Sequence, residues 1–370
     1  MTMTSAQQTI SSRTINMRRV WLKVHRWLAL SVGWVLALVG LTGAILVVAQ
    51  PLDEWTHPQL FKVQQVTPGA NISVQEVHEK LMEKFDHQSS FTLRPPRDES
   101  ETIQALVRGK WNGVVFLNPH TGEEQGRRKD GDGVVNFLFK LHSSLMLKDT
   151  GKAILAWIAL AYLVLLITGL ILWWPKRWPP SLKIELRKGL LRGLFDMHRI
   201  GGAVLGSVIA VSVATGAYMA WRPLGQFITT IAGEKVVKPP KMHPVSTPAS
   251  VRPTLDDMVA RAQAQFPNEP IGYIQIPAKP DQPVRVRMRL HDDPHPNGRT
   301  AVYIHPQSGE ILAVHRWDEL DVGARMNSVI YPLHTGELGG PMLEAVTFLS
   351  GLALGMLGIT GIWLWWRRRN

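Results

Sequence analysis

His25-Arg26-Trp27 opens an uncharged apolar run that closes on Leu41-Thr42-Gly43. The same frame returns as His198-Arg199-Ile200 leading to Ala214-Thr215-Gly216. Two further histidines keep a second spacing, His142 to Thr168-Gly169 and His334 to Thr360-Gly361. The gap from His to Thr is 17 residues in the first two cases and 26 in the last two. The match extends to Trp173-Trp174 and Trp365-Trp366, five and six residues beyond their threonines. The chain therefore reads as one unit used twice.

Four runs carry almost no charge: Trp27–Ala49, Ala153–Trp174, Ile200–Trp221 and Ala345–Trp366. Each holds about 20 residues, enough at about 1.5 Å per residue to cross a hydrocarbon layer of about 30 Å. Trp27, Trp173, Trp174, Trp221, Trp365 and Trp366 stand at their ends, where an amphipathic ring favours the interface.

Basic residues give the runs a direction. Residues 1–26 hold Arg13, Arg18, Arg19, Lys23 and Arg26 with no acid. Residues 175–199 hold Lys176, Arg177, Lys183, Arg187, Lys188, Arg192 and Arg199 against Glu185 and Asp196, and the tail carries Arg367, Arg368 and Arg369. With four alternating crossings all three stretches share one side, which the positive-inside rule makes cytoplasmic, together with both termini. The overall charge of +12 is then a topology signal, and nucleic acid is not implied as a partner. Membrane lipid is. The chain has no cysteine, so thiolate-held clusters and thioether-attached haem are excluded.

The segments follow as a polar, disordered stretch over 1–12, a first crossing over 13–49, an outer module over 50–133 and an interfacial segment over 134–152. A second crossing over 153–174, a cytoplasmic loop over 175–199 and a third crossing over 200–221 come next. The chain closes with an outer module over 222–328, an interfacial segment over 329–341, and a fourth crossing with its tail over 342–370. Within the first module Ile72–Phe85 is helical by pattern, Ser90–Arg94 and Thr102–Arg108 read as strands, and Gly113–Leu117 enters a hairpin at Asn118-Pro119-His120-Thr121-Gly122-Glu123. The second module repeats that order. Its helix is Leu255–Phe266 with Thr254 as N-cap, its strands are Gly272–Ile276 and Val284–Leu290, and Ala301–Ile304 leads into His305-Pro306-Gln307-Ser308-Gly309-Glu310.

The interfacial segments are expected to break, the first at Asp149-Thr150-Gly151, the second at Pro332 and the glycines after it. Gly33, Gly40 and Gly43 leave room for a neighbouring helix or a flat ligand. Two repeats of equal orientation call for a pseudo-two-fold axis along the membrane normal.

His25 and His198 stand at the inner interface, His142 and His334 at the outer one. A lone interfacial histidine is an ordinary polar side chain. Four at matched positions, two per side, point to metal or haem ligation, because neutral imidazole is a standard axial ligand for haem iron. Arg26 and Arg199 are candidates to hold haem propionates through their planar forks, a role balanced against a plain positive-inside charge. His57, His78, His87, His120, His243, His291, His295, His305 and His315 share no repeat position and read as solvated or structural; a metal site over His291–His295 has only generic spacing.

The duplicated His-Arg and Leu-His patterns, together with Pro-x-Thr/Ser-Gly-Glu in both hairpins, resemble the PepSY-associated transmembrane proteins, and among them the inner-membrane ferrisiderophore reductases. The likeness covers residues 15–370. It implies an α-helical membrane protein with four transmembrane helices as two tandem pseudo-symmetric repeats, each with an α+β PepSY-like periplasmic module. It further implies two b-type haems, one near each membrane face, and reduction of a ferric siderophore in the periplasm of a bacterium. Carried over by position, His25 and His198 hold the haem on the cytoplasmic side, and His142 and His334 the haem on the periplasmic side.

No dinucleotide-binding glycine pattern is present and the cytoplasmic loop is too short for a flavin or nicotinamide domain. The electron donor is therefore expected to be separate, a quinol or a cytoplasmic reductant. The competing reading is a non-redox membrane protein whose modules bind or regulate a periplasmic partner. Transport is disfavoured because the four runs contain no acidic residue to mark an ion path.

Overall fold

The computed structural model describes residues 5–63, 71–242 and 252–367, with the backbone alone for 5–16. In chain order the elements are α1 (Ser5–Thr56), α2 (Pro58–Phe61), α3 (Val74–Lys84), β1 (Ser90–Arg94), β2 (Ile103–Arg108), β3 (Gly113–Leu117), β4 (Glu124–Lys129), α4 (Val134–Ser144) and α5 (Lys148–Trp173). There follow α6 (Leu190–Ala220), α7 (Arg222–Ile231), α8 (Leu255–Gln265), β5 (Ile271–Ile276), β6 (Val284–Met288), β7 (Thr300–Ile304), β8 (Ile311–His315), α9 (Val322–Thr335) and α10 (Gly340–Arg367). Two compact units result, one from residues 1–48, 138–222 and 333–370, the other from 49–137 and 223–332.

Among the described residues four helices are long and apolar enough to cross a membrane, α1, α5, α6 and α10, and the first unit is built on them. Their shared core is Val35, Leu36, Ile158, Tyr162, Ile209, Ala353 and Leu354. Tyr162 is buried there and donates its hydroxyl hydrogen to the Gly206 carbonyl at 3.0 Å, the partner that a phenol needs away from water. Close approach of α1 and α10 depends on missing side chains: a Cβ on Gly40 would lie 2.7 Å from the Gly351 carbonyl oxygen. So Gly40 serves helix packing, as small residues do inside membranes.

Helix boundaries differ from the sequence expectation at several points. Ser5–Ser12, whose composition reads as disordered, belong to α1; Met1–Thr4 lie outside the described residues. Helix α1 also passes through Pro51 to Thr56, and α6 begins at Leu190, so His198 lies inside a helix. Buried Asp196 explains the early start of α6: it takes Arg192 at 2.9 Å one turn back and Arg199 at 3.4 Å one turn on, holding the charged turn helical. The first break lies earlier than expected. Leu145, Met146 and Lys148 adopt left-handed backbone with φ of 49°, 62° and 52°, while Asp149–Gly151 already belong to α5. Only glycine suits position 151, because a Cβ would meet the Ser144 carbonyl oxygen. The second break skips Pro332, through which α9 continues to Thr335, and falls at the glycines after it, where Gly336 has φ of 94° and Gly340, with φ of 60°, opens α10.

The second unit is built on one antiparallel sheet with strand order β4-β3-β2-β1-β5-β6-β7-β8. The two modules are therefore joined, with Phe91, Thr92 and Leu93 of β1 opposite Ile276, Gln275 and Ile274 of β5. Period-two alternation turns Phe91, Leu93, Ala105, Val107, Ile274, Val284, Val286 and Met288 to one face. There they pack with Val77 and Leu81 of α3 and with Leu255, Met258 and Ala262 of α8.

The two helices cap one another. Backbone N–H groups of Val74 and Gln75 donate to the Asp256 carboxylate at 2.8 and 3.0 Å, and Leu255 N–H donates to the Gln75 side chain at 3.0 Å. Asp256→Ala leaves two α3 amides without that partner. Loss of a cap of this kind costs about 1 kcal/mol, so thermal unfolding of the detergent-solubilised protein is expected at a lower midpoint while the four-helix unit keeps its properties.

Candidate cofactor site: two facing histidine pairs

Each of the four matched histidines rests on a Thr-Gly step of another helix. His25 on α1 points Nδ1 at Thr168 Oγ1 of α5 at 2.9 Å, and His198 on α6 points Nδ1 at Thr360 Oγ1 of α10 at 3.0 Å. His142 on α4 meets Thr42 of α1 at 3.4 Å, and His334 on α9 meets Thr215 of α6 at 3.0 Å. The glycine after each threonine makes room for the ring. A Cβ would stand 2.7 Å from His142 Cε1 at Gly43, 2.9 Å from His334 Cε1 at Gly216, 3.4 Å from His25 at Gly169 and 3.3 Å from His198 at Gly361.

The hydrogen bonds settle the tautomer. All four threonine side chains are buried, and each hydroxyl donates to a carbonyl of its own helix: Thr42 to Leu38, Thr168 to Leu165, Thr215 to Val211 and Thr360 to Met356, at 2.7–3.0 Å. The threonine oxygen is thus left to accept. The Val39 and Ser212 carbonyls, which can only accept, stand 3.0 Å from Nδ1 of His142 and His334. Leu165 and Leu357 supply the matching backbone hydrogen bonds for His25 and His198. Nδ1 therefore carries the proton on each ring, and Nε2 keeps the lone pair that ligates metals. A ring held by its other nitrogen in this way is the usual outer-shell arrangement of a metal-ligating histidine.

The rings come together in two pairs. His25 and His198 have ring centres 6.4 Å apart with planes at 84°, and His142 and His334 have centres 6.1 Å apart with planes at 42°. Both pairs belong to the four-helix unit. Along α1, the 17 residues from His25 to Thr42, where His142 rests, correspond to about 26 Å of helix axis. One pair thus lies toward each end of the bundle, with the apolar core containing Tyr162 between them.

Two imidazoles bound to one metal ion through bonds of about 2 Å stand roughly 6 Å apart centre to centre, so each pair has the spacing to share an ion. Among the described residues no group of three or more His, Cys, Asp or Glu is placed to hold a metal. A closed tetrahedral protein site is therefore not formed, and the arrangement suits an ion that brings its remaining ligands with it. His291 instead pairs with Glu269 and Asp292 with Arg316, while His243 lies outside the described residues.

Arg26 is exposed, and Arg199 reaches Asp196 and, at 3.4 Å, the Ser181 carbonyl. Thr42, Thr168, Thr215 and Thr360 are the candidate site residues that the sequence reading left without a role. Their signal was the Thr-Gly step itself, four times at fixed distance from a histidine.

A comparison with curated proteins finds no match. The family model for the PepSY-associated TM region matches residues 22–368, which takes in all four histidines, all four Thr-Gly steps and the four apolar helices. The chain is a membrane protein and belongs to the PepSY-associated transmembrane family.

Proposed function

We propose that the chain is a di-haem b-type reductase of the bacterial inner membrane that carries electrons across the bilayer to a ferric siderophore and releases Fe(II). The observation that carries this reading is the pair of 6.4 and 6.1 Å imidazole spacings with Nδ1 of every ring held by a threonine. His25 with His198 and His142 with His334 would each hold one haem, a group that needs no third ligand from the protein. The absence of cysteine excludes thioether attachment, which fits a b-type haem. When bound, it supplies a one-electron iron couple.

The chain's own residues account for the rest. His25 with His198, and His142 with His334, hold the two groups. The four threonines fix ring orientation and proton position, and Gly43, Gly169, Gly216 and Gly361 admit the rings. The basic stretches next to His25 and His198 set that pair on the cytoplasmic side, and so place the termini there and the second pair on the periplasmic side. Two tandem repeats about a pseudo-two-fold axis are supported by the equal His–Thr gaps and by a strand order that reads outward through one module on each side of the β1–β5 pair. A separate donor, quinol or cytoplasmic reductant, delivers electrons. Reduction releases the metal because hard hydroxamate, catecholate and carboxylate oxygens favour Fe(III) over Fe(II).

Thr168→Val and Thr360→Val remove the hydroxyl acceptor at one pair. Loss of such an outer-shell partner costs roughly 10–100-fold in metal-site affinity or activity, so haem retention at that pair is expected to fall while the other pair is unchanged in the visible spectrum. The reading as a whole is tested by mixing chemically pre-reduced protein with ferric siderophores and a ferrous-specific chelator. Capture of Fe(II) with matching reoxidation of the protein supports it. Protein that stays reduced with every ferric siderophore, while no Fe(II) is captured, overturns it.

A further inference from the structure

The sheet face turned away from α3 and α8 carries an arginine cluster for which the bis-histidine pairs have no use. On β6, Arg285 and Arg287 alternate with the core residues Val284, Val286 and Met288, and so share the opposite face. Arg285 lies between Gln275 of β5 and Tyr303 of β7, with its guanidinium carbon 5.4 Å from the centre of the Tyr303 ring. Arg287 lies opposite Tyr273, 5.3 Å from that ring centre. Arg299 joins them from the turn before β7. Nε of all three arginines is buried with no hydrogen-bond partner, while Arg285 Nη1 donates to the Gln275 side chain at 3.4 Å and Arg287 Nη2 to the Gly298 carbonyl, so neither strand arginine has a charge partner in these contacts.

Three partly buried cations at close quarters are unusual, because buried arginines are normally paired. Two acids act on the cluster, and both are already engaged. Asp293 accepts from the His295 and Arg299 backbone N–H groups, and Asp321 accepts from Thr229 and the Val237 backbone. Burial together with mutual repulsion pushes Arg287 down to about 10, and burial beside Arg287 and Arg299 pushes His295 down to about 3. His295 is therefore neutral and supplies no further charge.

The fold does not require these arginines. In the row where the second meander has Gln275, Arg285 and Tyr303, the first has Arg94, Gln104 and Phe116. Where the second has Tyr273 and Arg287, the first has Thr92 and Leu106. The same architecture thus forms with a neutral amide and a leucine in place of the two strand cations.

We propose that Arg285, Arg287 and Arg299, framed by Tyr273 and Tyr303, form a binding site for a small anionic chelate bearing carboxylate oxygens. Guanidinium forks match carboxylates in geometry and charge, and the tyrosine rings give the ligand an apolar wall beside them. That the chelated metal is iron rests on the proposed function, and the site then narrows its substrate to negatively charged ferric chelates. The anion site itself stands on the second unit alone.

The test uses the full-length protein in detergent and Ga(III) chelates, which keep the charge and shape of Fe(III) chelates but are not reduced. Binding is read by tryptophan fluorescence or calorimetry, so it is independent of haem content and electron transfer. Anionic Ga(III)–citrate is expected to bind at least about tenfold more tightly than neutral Ga(III)–acetohydroxamate, as charge-assisted hydrogen bonds predict. The R285Q/R287Q variant is expected to lose that preference. In wild-type protein, Ga(III)–citrate should also protect Arg285, Arg287 and Arg299 from phenylglyoxal, mapped by mass spectrometry, which decides the matter even if the variant does not fold. Equal binding of the two chelates, retained preference in R285Q/R287Q, or unprotected arginines would each overturn the site, whatever the redox assays show.

Discussion

His25→Ala and His334→Ala are each expected to remove about half of the bound haem, and the double variant all of it, because each haem would be held by both histidines of one pair. The variants differ in which haem they lose. His25→Ala and His198→Ala should give the same residual spectrum, as should His142→Ala and His334→Ala, since each set dismantles one pair. Haem per chain and the reduced α-band position in all four single variants check this. If His25→Ala matched His142→Ala instead, the pairing read from the 6.4 and 6.1 Å ring spacings would be wrong.

The second large effect is expected from a single methyl group. At Gly43 and Gly216 a Cβ would stand 2.7 and 2.9 Å from the Cε1 atoms of His142 and His334, closer than a contact can be, so the ring must move. At Gly169 and Gly361 the distances to His25 and His198 are 3.4 and 3.3 Å, which a small adjustment accommodates. Overpacking of the first kind costs about 1–3 kcal/mol, or roughly 5- to 150-fold in retention of the group held by the displaced ring. Gly43→Ala and Gly216→Ala should therefore lose haem selectively at the His142–His334 pair. Gly169→Ala and Gly361→Ala should keep both haems with small spectral shifts. Equal loss in all four would show that glycine serves the helices generally rather than the rings.

Several of these features were legible in the sequence. Strands β1 and β3 coincide with the stretches of alternating apolar residues at Ser90–Arg94 and Gly113–Leu117, and Thr254 is the N-cap of α8, in a capping box with Asp257. The grouping of His25 with His198 and of His142 with His334 followed from depth along apolar runs of known length.

What stayed hidden had no local signal. Strand β4, Glu-Gln-Gly-Arg-Arg-Lys, is a solvated edge strand without an apolar face. Helix α7 follows Trp221 directly and carries Pro223 in its first turn, and the sequence reading of the second module did not separate it as a helix. The β1–β5 pairing joins strands about 180 residues apart with no turn between them to announce it. Pro332 looked like a break, yet α9 gives up one backbone hydrogen bond there and continues. The exchange of seats, with His142 on Thr42-Gly43 while Thr168-Gly169 receives His25, is a tertiary fact that spacing along one chain does not encode.

The most direct measurement is the dithionite-reduced minus oxidised visible spectrum of the purified protein, with haem per chain determined as the pyridine haemochrome. Two b-type haems per chain, with reduced bands typical of low-spin bis-imidazole iron, are the predicted result. A colourless protein that folds and remains stable in detergent, or haem whose amount and bands do not change when His25 and His334 are replaced, would contradict it.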